Sequence, residues 1–173
     1  MEVGQSIIFN NEEYVVLERL WRTRGGTNQH IQHQVNVKTE INRTFYIVEK
    51  NSEKFWVKEH VNPNFGEGTL HDEYERTLSC EPLTLTQQKI TARSVKTYGI
   101  AGNFLLTEYC EGYKNLVRNP DKLLVNVSKN FLKLILEVLD VYDFSLNNVL
   151  VSPDQSELVF IDFEVASKKD VDR

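Results

Sequence analysis

The chain has 173 residues, 40% of them apolar, with 20 Lys and Arg against 25 Asp and Glu and a formal net charge of -5. That composition can bury a core in one domain or two small lobes and excludes a disordered chain. The acidic balance excludes a nucleic-acid binder resting on a broad basic surface, because phosphate neutralisation needs clustered Lys and Arg, and only "RLWRTR" at residues 19–24 concentrates them.

The N-terminal "MEVGQSIIFNNEEY" carries acids where a signal peptide has a basic region and then a long apolar run. The longest apolar-rich segment, "FLKLILEVL", is broken by Lys133 and Glu137 and falls short of the roughly 18 residues that a spanning helix needs. Cys80 and Cys110 make neither a metal-ligand spacing nor a disulfide framework. The expectation is a soluble chain in a reducing cytoplasm, without membrane or nucleic-acid partners. The N-x-S/T triplets at Asn42 and Asn126 are then chance matches.

In chain order, "EYVVLERL", "QVNVKT", "TFYIVEK" and "KFWVKEH" mix β-branched and aromatic residues and read as strands of an antiparallel sheet. "EKNSEK" is a turn, so residues 45–49 and 55–59 form a hairpin. After the loop "NPNFGEG", the segment "TLHDEYERTLSC" reads as a short helix capped by Thr69, with acids in its first turn, and ended by Pro82. "SVKTYGI" and "FLLTEYC" around "AGN" form another hairpin, and "EGYKNL" reads as a linker. The lobe boundary is placed there, giving an N-lobe at 1–109 and a minimal or incomplete C-lobe at 110–173.

The clearest element is "NPDKLLVNVSKNFLKLILEVLD", with Asn119 as cap, Pro120 at the first helical position, and Leu124, Val127, Phe131, Leu134, Ile135 and Val138 at helical spacing. Next, "NVLV" and "LVFIDF" flank the turn "SPDQSE" and pair as an antiparallel hairpin. Pairing brings Asn148 and Asp162 to one end of that hairpin, with Asp143 in the loop just before it. An amide oxygen and a carboxylate are hard donors that suit Mg²⁺, and a further carboxylate can orient a hydroxyl nucleophile. Those are the parts of phosphoryl transfer. The same residue types also form ordinary turns, so the hairpin alone leaves both readings open.

With its neighbours read in, the pattern "D-x-x-x-x-N" followed by "I-D-F" resembles the catalytic loop and metal-binding motif of the protein kinase-like superfamily. "FWVKEH" is similar to the strand carrying the nucleotide-contacting lysine, here Lys58, with Val57 and Phe55 on the opposite strand face. Glu73 in "LHDEYERTL" matches the helix glutamate that pairs with that lysine, with Glu75 as rival; the two point about 200° apart on a helix, so only one can serve. "FLLTEYCEGY" resembles the hinge, where backbone groups of Glu108 to Cys110 meet adenine and Thr107 backs the pocket. "Y-D-F-S-x-N-N-V-L-V" with "I-D-F-E-x-A" most resembles the kinase domains of class III lanthipeptide synthetases, and also aminoglycoside and choline phosphotransferases.

The resemblance implies an α+β, two-lobed protein kinase-like fold with an antiparallel-sheet N-lobe carrying one main helix, and a short, truncated helical C-lobe with a β-hairpin. It implies ATP and Mg²⁺, with Asp143 orienting the acceptor, Asn148 and Asp162 holding metal, and Lys58, Glu73, Glu108 and Cys110 contacting nucleotide. The acceptor expected first is a Ser or Thr of a protein or peptide. A small-molecule or sugar kinase and a pseudokinase acting as an interaction module are the alternatives.

The pattern departs from the superfamily in four places. No G-x-G-x-x-G is present, and the phosphate-covering loop falls either at Gly25 and Gly26 or nearer "KTEINRT". "VYD" lacks the basic residue before the catalytic Asp, and "DFE" replaces "DFG". The sequence ends at "ASKKDVDR" before any A-P-E segment, so the short C-lobe is expected to be naturally minimal, truncated, or completed by a partner. His30 and His33 in "HIQHQ" have no third ligand nearby and are read as surface residues rather than a metal site.

Overall fold

The computed structural model describes residues 1–23, 41–60, 70–140, 142 and 144–163. Asp143, Gly25, Gly26, His30, His33, the cap expected at Thr69 and the strand expected at "QVNVKT" lie outside them. The fold is α+β. Its contacts cluster into two compact units, Met1–Leu70 with Thr97–Tyr109, and His71–Lys96 with Cys110–Arg173.

The first unit is a six-stranded antiparallel sheet in the order β1-β2-β3-β4-β8-β7. Its strands are β1 (Ser6–Phe9), β2 (Glu12–Thr23), β3 (Ile41–Lys50), β4 (Glu53–His60), β7 (Thr97–Ala101) and β8 (Phe104–Glu108). Two hairpins in it turn on two residues with positive φ, Asn10 and Asn11 (51° and 65°) and Asn51 and Ser52 (51° and 62°). Both residues left-handed is the signature of the type I′ turn, whose twist matches that of the strands it joins. The sheet curls so that its edges approach: Asn10 Nδ2 donates to the Tyr98 carbonyl at 3.2 Å, and a Cβ at Gly99 would stand 3.1 Å from that amide nitrogen. A side chain at Gly99 would crowd the Asn10 amide, and glycine leaves room for that close approach.

Alternation sends Phe9, Tyr14, Val16, Tyr46, Val48, Phe55, Val57 and Leu106 into one core, packed edge to face along Phe9, Tyr14 and Phe55. The buried Tyr46 hydroxyl donates to Glu59 at 2.6 Å, and its pKa is raised by burial and by that bond.

The second unit holds α1 (Leu70–Cys80, from His71 onward), a five-stranded sheet and α2 (Lys122–Val138). The sheet runs β5-β6-β11-β10-β9, from β5 (Thr84–Gln87), β6 (Ile90–Ser94), β9 (Lys114–Asn115), β10 (Val149–Val151) and β11 (Glu157–Phe160). Pairing of β6 with β11 is parallel, and β10 runs antiparallel to β11. Leu158, Val159 and Phe160 are all fully buried, which accounts for a continuous apolar run in place of alternation.

Several elements differ from the sequence expectation. Strands β5 and β6 fall in a stretch that carries no turn signal; their hairpin turns on Gln88 and Lys89, at φ 47° and 64°. The segment "EGYKNL" is no linker: Lys114 and Asn115 pair with Val151 and Leu150, and Leu116 is fully buried. The cap of α2 is Asp121, whose carboxylate accepts from the backbone N–H groups of Leu123 (2.9 Å) and Leu124 (3.2 Å); Asn119 instead follows a 3-10 turn at Leu116–Arg118. Leu124, Val127, Phe131 and Ile135 are buried as their spacing predicts, Leu134 is half-buried, and Val138 is 46% exposed at the helix end. Residues 71–96 group with the C-terminal part, whereas the sequence reading places all of 1–109 together.

Phe131 is fully buried and meets Phe160 edge to face at 4.9 Å between centroids. Phe131→Ala should destabilise the protein by about 3–5 kcal/mol in urea denaturation, from lost burial plus the residual cavity; a loss under about 1 kcal/mol would show that this ring is not in the core. Asp154 closes the β10–β11 turn by accepting from the Ser156 hydroxyl (2.7 Å), the Ser152 hydroxyl (2.8 Å) and the Ser156 backbone N–H (3.1 Å). Those bonds lower its pKa from 3.8 to about 2. Because the folded pKa is depressed, its stabilising contribution is present above the unfolded value and lost as pH falls through about 2. A carboxyl NMR titration should place the Asp154 midpoint near 2, and a midpoint at the ordinary 3.8 would contradict the three bonds.

Candidate functional site

The structure brings Asn148 and Asp162 to the same end of the β10–β11 hairpin. Val149 stands opposite Phe160, and beyond the last rung the Ile161 N–H donates to the Asn148 carbonyl at 2.9 Å. Asn148 closes a 3-10 turn, Leu146–Asn148, that is capped by Ser145: the Ser145 hydroxyl accepts from the Asn147 N–H at 3.2 Å, and its carbonyl accepts from the Asn148 N–H at 2.8 Å. Asn148 is buried and Asp162 half-buried. Asp143, the expected acceptor-orienting residue, lies outside the described residues.

Asp162 is two residues past the end of β11 rather than within it, and its φ is 66°. The non-glycine residues with positive φ at Asn10, Asn11, Asn51, Ser52, Gln88 and Lys89 are hairpin turns, and Gln155 lies in the β10–β11 loop. Asp162 is in no hairpin turn. A left-handed non-glycine residue costs on the order of 1 kcal/mol, so the surroundings must impose it.

They do so with a hydrogen bond on each side. The Tyr142 hydroxyl donates to the Ile161 carbonyl, and Arg76 Nε donates to the Phe163 carbonyl at 2.5 Å. Tyr142 also packs on Phe163 and Phe160, at 4.8 and 6.2 Å between ring centroids. One rung earlier, the Val95 N–H holds the Phe160 carbonyl at 2.9 Å.

On α1, Glu73 and Arg76 are three residues apart and therefore on one helix face, and both are buried, at 4% and 8% exposure. Thr77 beneath them donates its hydroxyl to the Glu73 carbonyl at 2.7 Å. Glu75 is exposed, with His71 Nε2 at 3.6 Å. Of the two rival glutamates, Glu73 is the one turned inward.

In the first unit, Lys58 is 6% exposed on the sheet face opposite Phe55 and Val57. Its cross-strand neighbours are Phe45 on β3 and Leu105 on β8. The next rung on that face is Ile47, Trp56 and Thr107, with the Thr107 hydroxyl reaching the Trp56 carbonyl at 3.5 Å. Trp56 stacks with Phe45 at 5.1 Å and with Tyr109 at 6.2 Å and 6°. Glu108 ends β8 opposite Phe55, and the Cys110 carbonyl accepts from the Tyr113 N–H at 3.3 Å.

Two features of the second unit have no counterpart in the sequence reading. Glu157 accepts from the Tyr113 hydroxyl at 2.6 Å and from Arg93 at 3.1 Å. Burial pushes its pKa up, and those two partners more than offset that, so the carboxyl titrates below its ordinary range. Cys80 is fully buried, and burial alone raises its thiol to about 11, which leaves it protonated and unreactive. Tyr142 was legible only as the residue standing where a basic one was expected; Arg76 was missed, and its spacing of three from Glu73 signals only that the two share a helix face.

Asn148 and Asp162 are the residues that could hold a metal: an amide oxygen and one carboxylate are donor types that Mg²⁺ accepts when phosphate and water complete its shell. Among the described residues no group of three or more His, Cys, Asp and Glu stands together. Compared with known proteins, the sequence matches no family model and no curated protein. Among the described residues, no helix is long and apolar enough to cross a membrane.

Because φ at Asp162 is left-handed, glycine is the one residue that relieves it. Asp162→Gly should be more stable than Asp162→Ala by about 1 kcal/mol in urea denaturation. Equal stabilities would mean that residue 162 is not held at positive φ in solution.

Proposed function

We propose that the chain is an ATP-dependent phosphotransferase of protein kinase-like fold that moves the γ-phosphoryl group to a hydroxyl. The observation that carries this reading is Asp162: a carboxylate on a strained, left-handed backbone beside the buried Asn148, fixed by hydrogen bonds from two other segments. Outside a hairpin turn, strain of this kind persists where a side chain must be aimed. Bound Mg²⁺ neutralises charge on the phosphates. Asn148 and Asp162 hold oxygen donors toward it, Asp143 orients the acceptor hydroxyl, and Lys58 and Glu73 anchor phosphate. Backbone groups of Glu108 and Cys110 contact the base. A buried lysine and a buried glutamate on the expected strand and helix support the anchoring roles, since charges are buried only where they are paired or used. The acceptor is a Ser or Thr of a protein or peptide, with small-molecule hydroxyls second.

A second reading, an interaction module that keeps the fold without turnover, is favoured by one observation. Phe45, Trp56 and Tyr109 form an aromatic row on the Lys58 face of the sheet, alongside the end of β8 where a base is expected. A ring needs about 7 Å between two others to stack between them, and Trp56 and Tyr109 are 6.2 Å apart.

A thermal-shift assay separates the two. ATP with Mg²⁺ should raise the melting temperature by several degrees at about a hundredfold excess over Kd, because the ligand binds only the folded state. Asp162→Asn should remove the Mg²⁺-dependent part. No shift at millimolar ATP, with the variant indistinguishable from the unmodified chain, would sink the phosphotransferase reading. Radiolabelled ATP incubated with protein and with small-molecule acceptors then assigns the acceptor class.

A further inference from the structure

We propose that Arg76 is a positioning residue for the metal ligand Asp162, an inference that rests on the phosphotransferase reading. Arg76 is three residues after Glu73 on the buried face of α1, and its Nε donates to the carbonyl of Phe163, the residue next to Asp162. On the other side, the carbonyl of Ile161 is held by the Tyr142 hydroxyl. The Ile161 carbonyl belongs to the peptide unit that precedes Asp162, and the Phe163 carbonyl to the unit one residue beyond the one that follows it. The two bonds therefore anchor the three-residue segment at both ends and restrict the direction in which the Asp162 carboxylate points. Upstream, Ile161 is tied to Asn148 by a backbone bond, which leaves the Phe163 side as the end of the segment that depends on a side chain from a distant helix.

Arginine suits this position. Its guanidinium is permanently charged, planar and weakly hydrated, so it makes a short, charge-assisted bond to a neutral carbonyl while buried. Lysine offers a strongly hydrated point charge on a flexible stem, and glutamine a neutral amide. Neither reproduces the bond, and lysine keeps the charge. A loss that follows orientation rather than charge will therefore appear in both variants, whereas one that follows charge alone will spare Arg76→Lys.

The experiment measures ATP affinity by calorimetry with and without MgCl₂, for the unmodified chain, Arg76→Lys and Arg76→Gln, each checked for folding by circular dichroism. The gain in ATP affinity on adding Mg²⁺ should fall roughly tenfold in Arg76→Gln and less in Arg76→Lys, as for loss of a group that orients a metal ligand, with metal-free ATP affinity unchanged. A folded Arg76→Gln with an undiminished Mg²⁺ gain overturns the assignment while leaving the phosphotransferase reading intact. An unmodified chain with no Mg²⁺ gain overturns both. Should neither variant fold, the Arg76 Nε–H resonance of the unmodified, ATP-loaded chain decides: it shifts on adding Mg²⁺ if Arg76 positions the ligand, and an unmoved resonance overturns the proposal.

Discussion

The parallel pairing of β6 with β11 is the constraint on which the second unit depends. It places β11 at the centre of a five-stranded sheet, flanked by β6 from the middle of the chain and by β10 from its own hairpin. With Leu158, Val159 and Phe160 fully buried, β11 has no freedom to slip: a shift of one residue would exchange every side chain between the two faces. The Phe160 carbonyl is met by Val95 just beyond β6, and the chain leaves the sheet with its direction already set. Asn148 and Asp162 owe their common location to the pairing of β10 with β11, which the fixed β11 strand holds in place.

Past the sheet, the backbone departs from what its residues prefer. Asp162 sits in the left-handed region, between carbonyls held by Tyr142 and Arg76. The hydrogen bonds from those two buried side chains and the tilted ring contact of Tyr142 with Phe163 offset the conformational cost there. In the first unit a comparable exception is Lys58, a buried cation between Phe45 and Leu105, on a face it shares with Ile47, Trp56 and Thr107. Both exceptions run against local preference, and local conflict of this kind concentrates where a protein has a task other than stability.

Legibility followed the strength of local signals. The β3–β4 hairpin was readable because Asn51 and Ser52 announce a turn between alternating strands, and α2 because its apolar residues recur at helical spacing. Strands β5 and β6 were not, since Gln88 and Lys89 turn the chain without Asn, Gly or Pro, and only tertiary pairing stabilises that choice. The cap of α2 moved from Asn119 to Asp121 because Pro120 suits the residue before a cap as well as the first helical position, and contact with the Leu123 and Leu124 N–H groups decides between them. At the site, Asn148 and Asp162 were readable from the hairpin; Tyr142 and Arg76 lie 19 and 87 residues from the carbonyls they hold, a separation that no local pattern encodes.

By itself the sequence determined which segments are strands and helices wherever period and turn chemistry agree, and which oxygen donors could meet at the β10–β11 hairpin. Tertiary structure alone decided the parallel register of β6 and β11, the inward turn of Glu73 over Glu75, and the left-handed backbone of Asp162. The physical reason is one of range. Periodicity and turn preference act over a few residues, whereas burial and the pairing of distant carbonyls choose between alternatives that local energies leave within about 1 kcal/mol of each other.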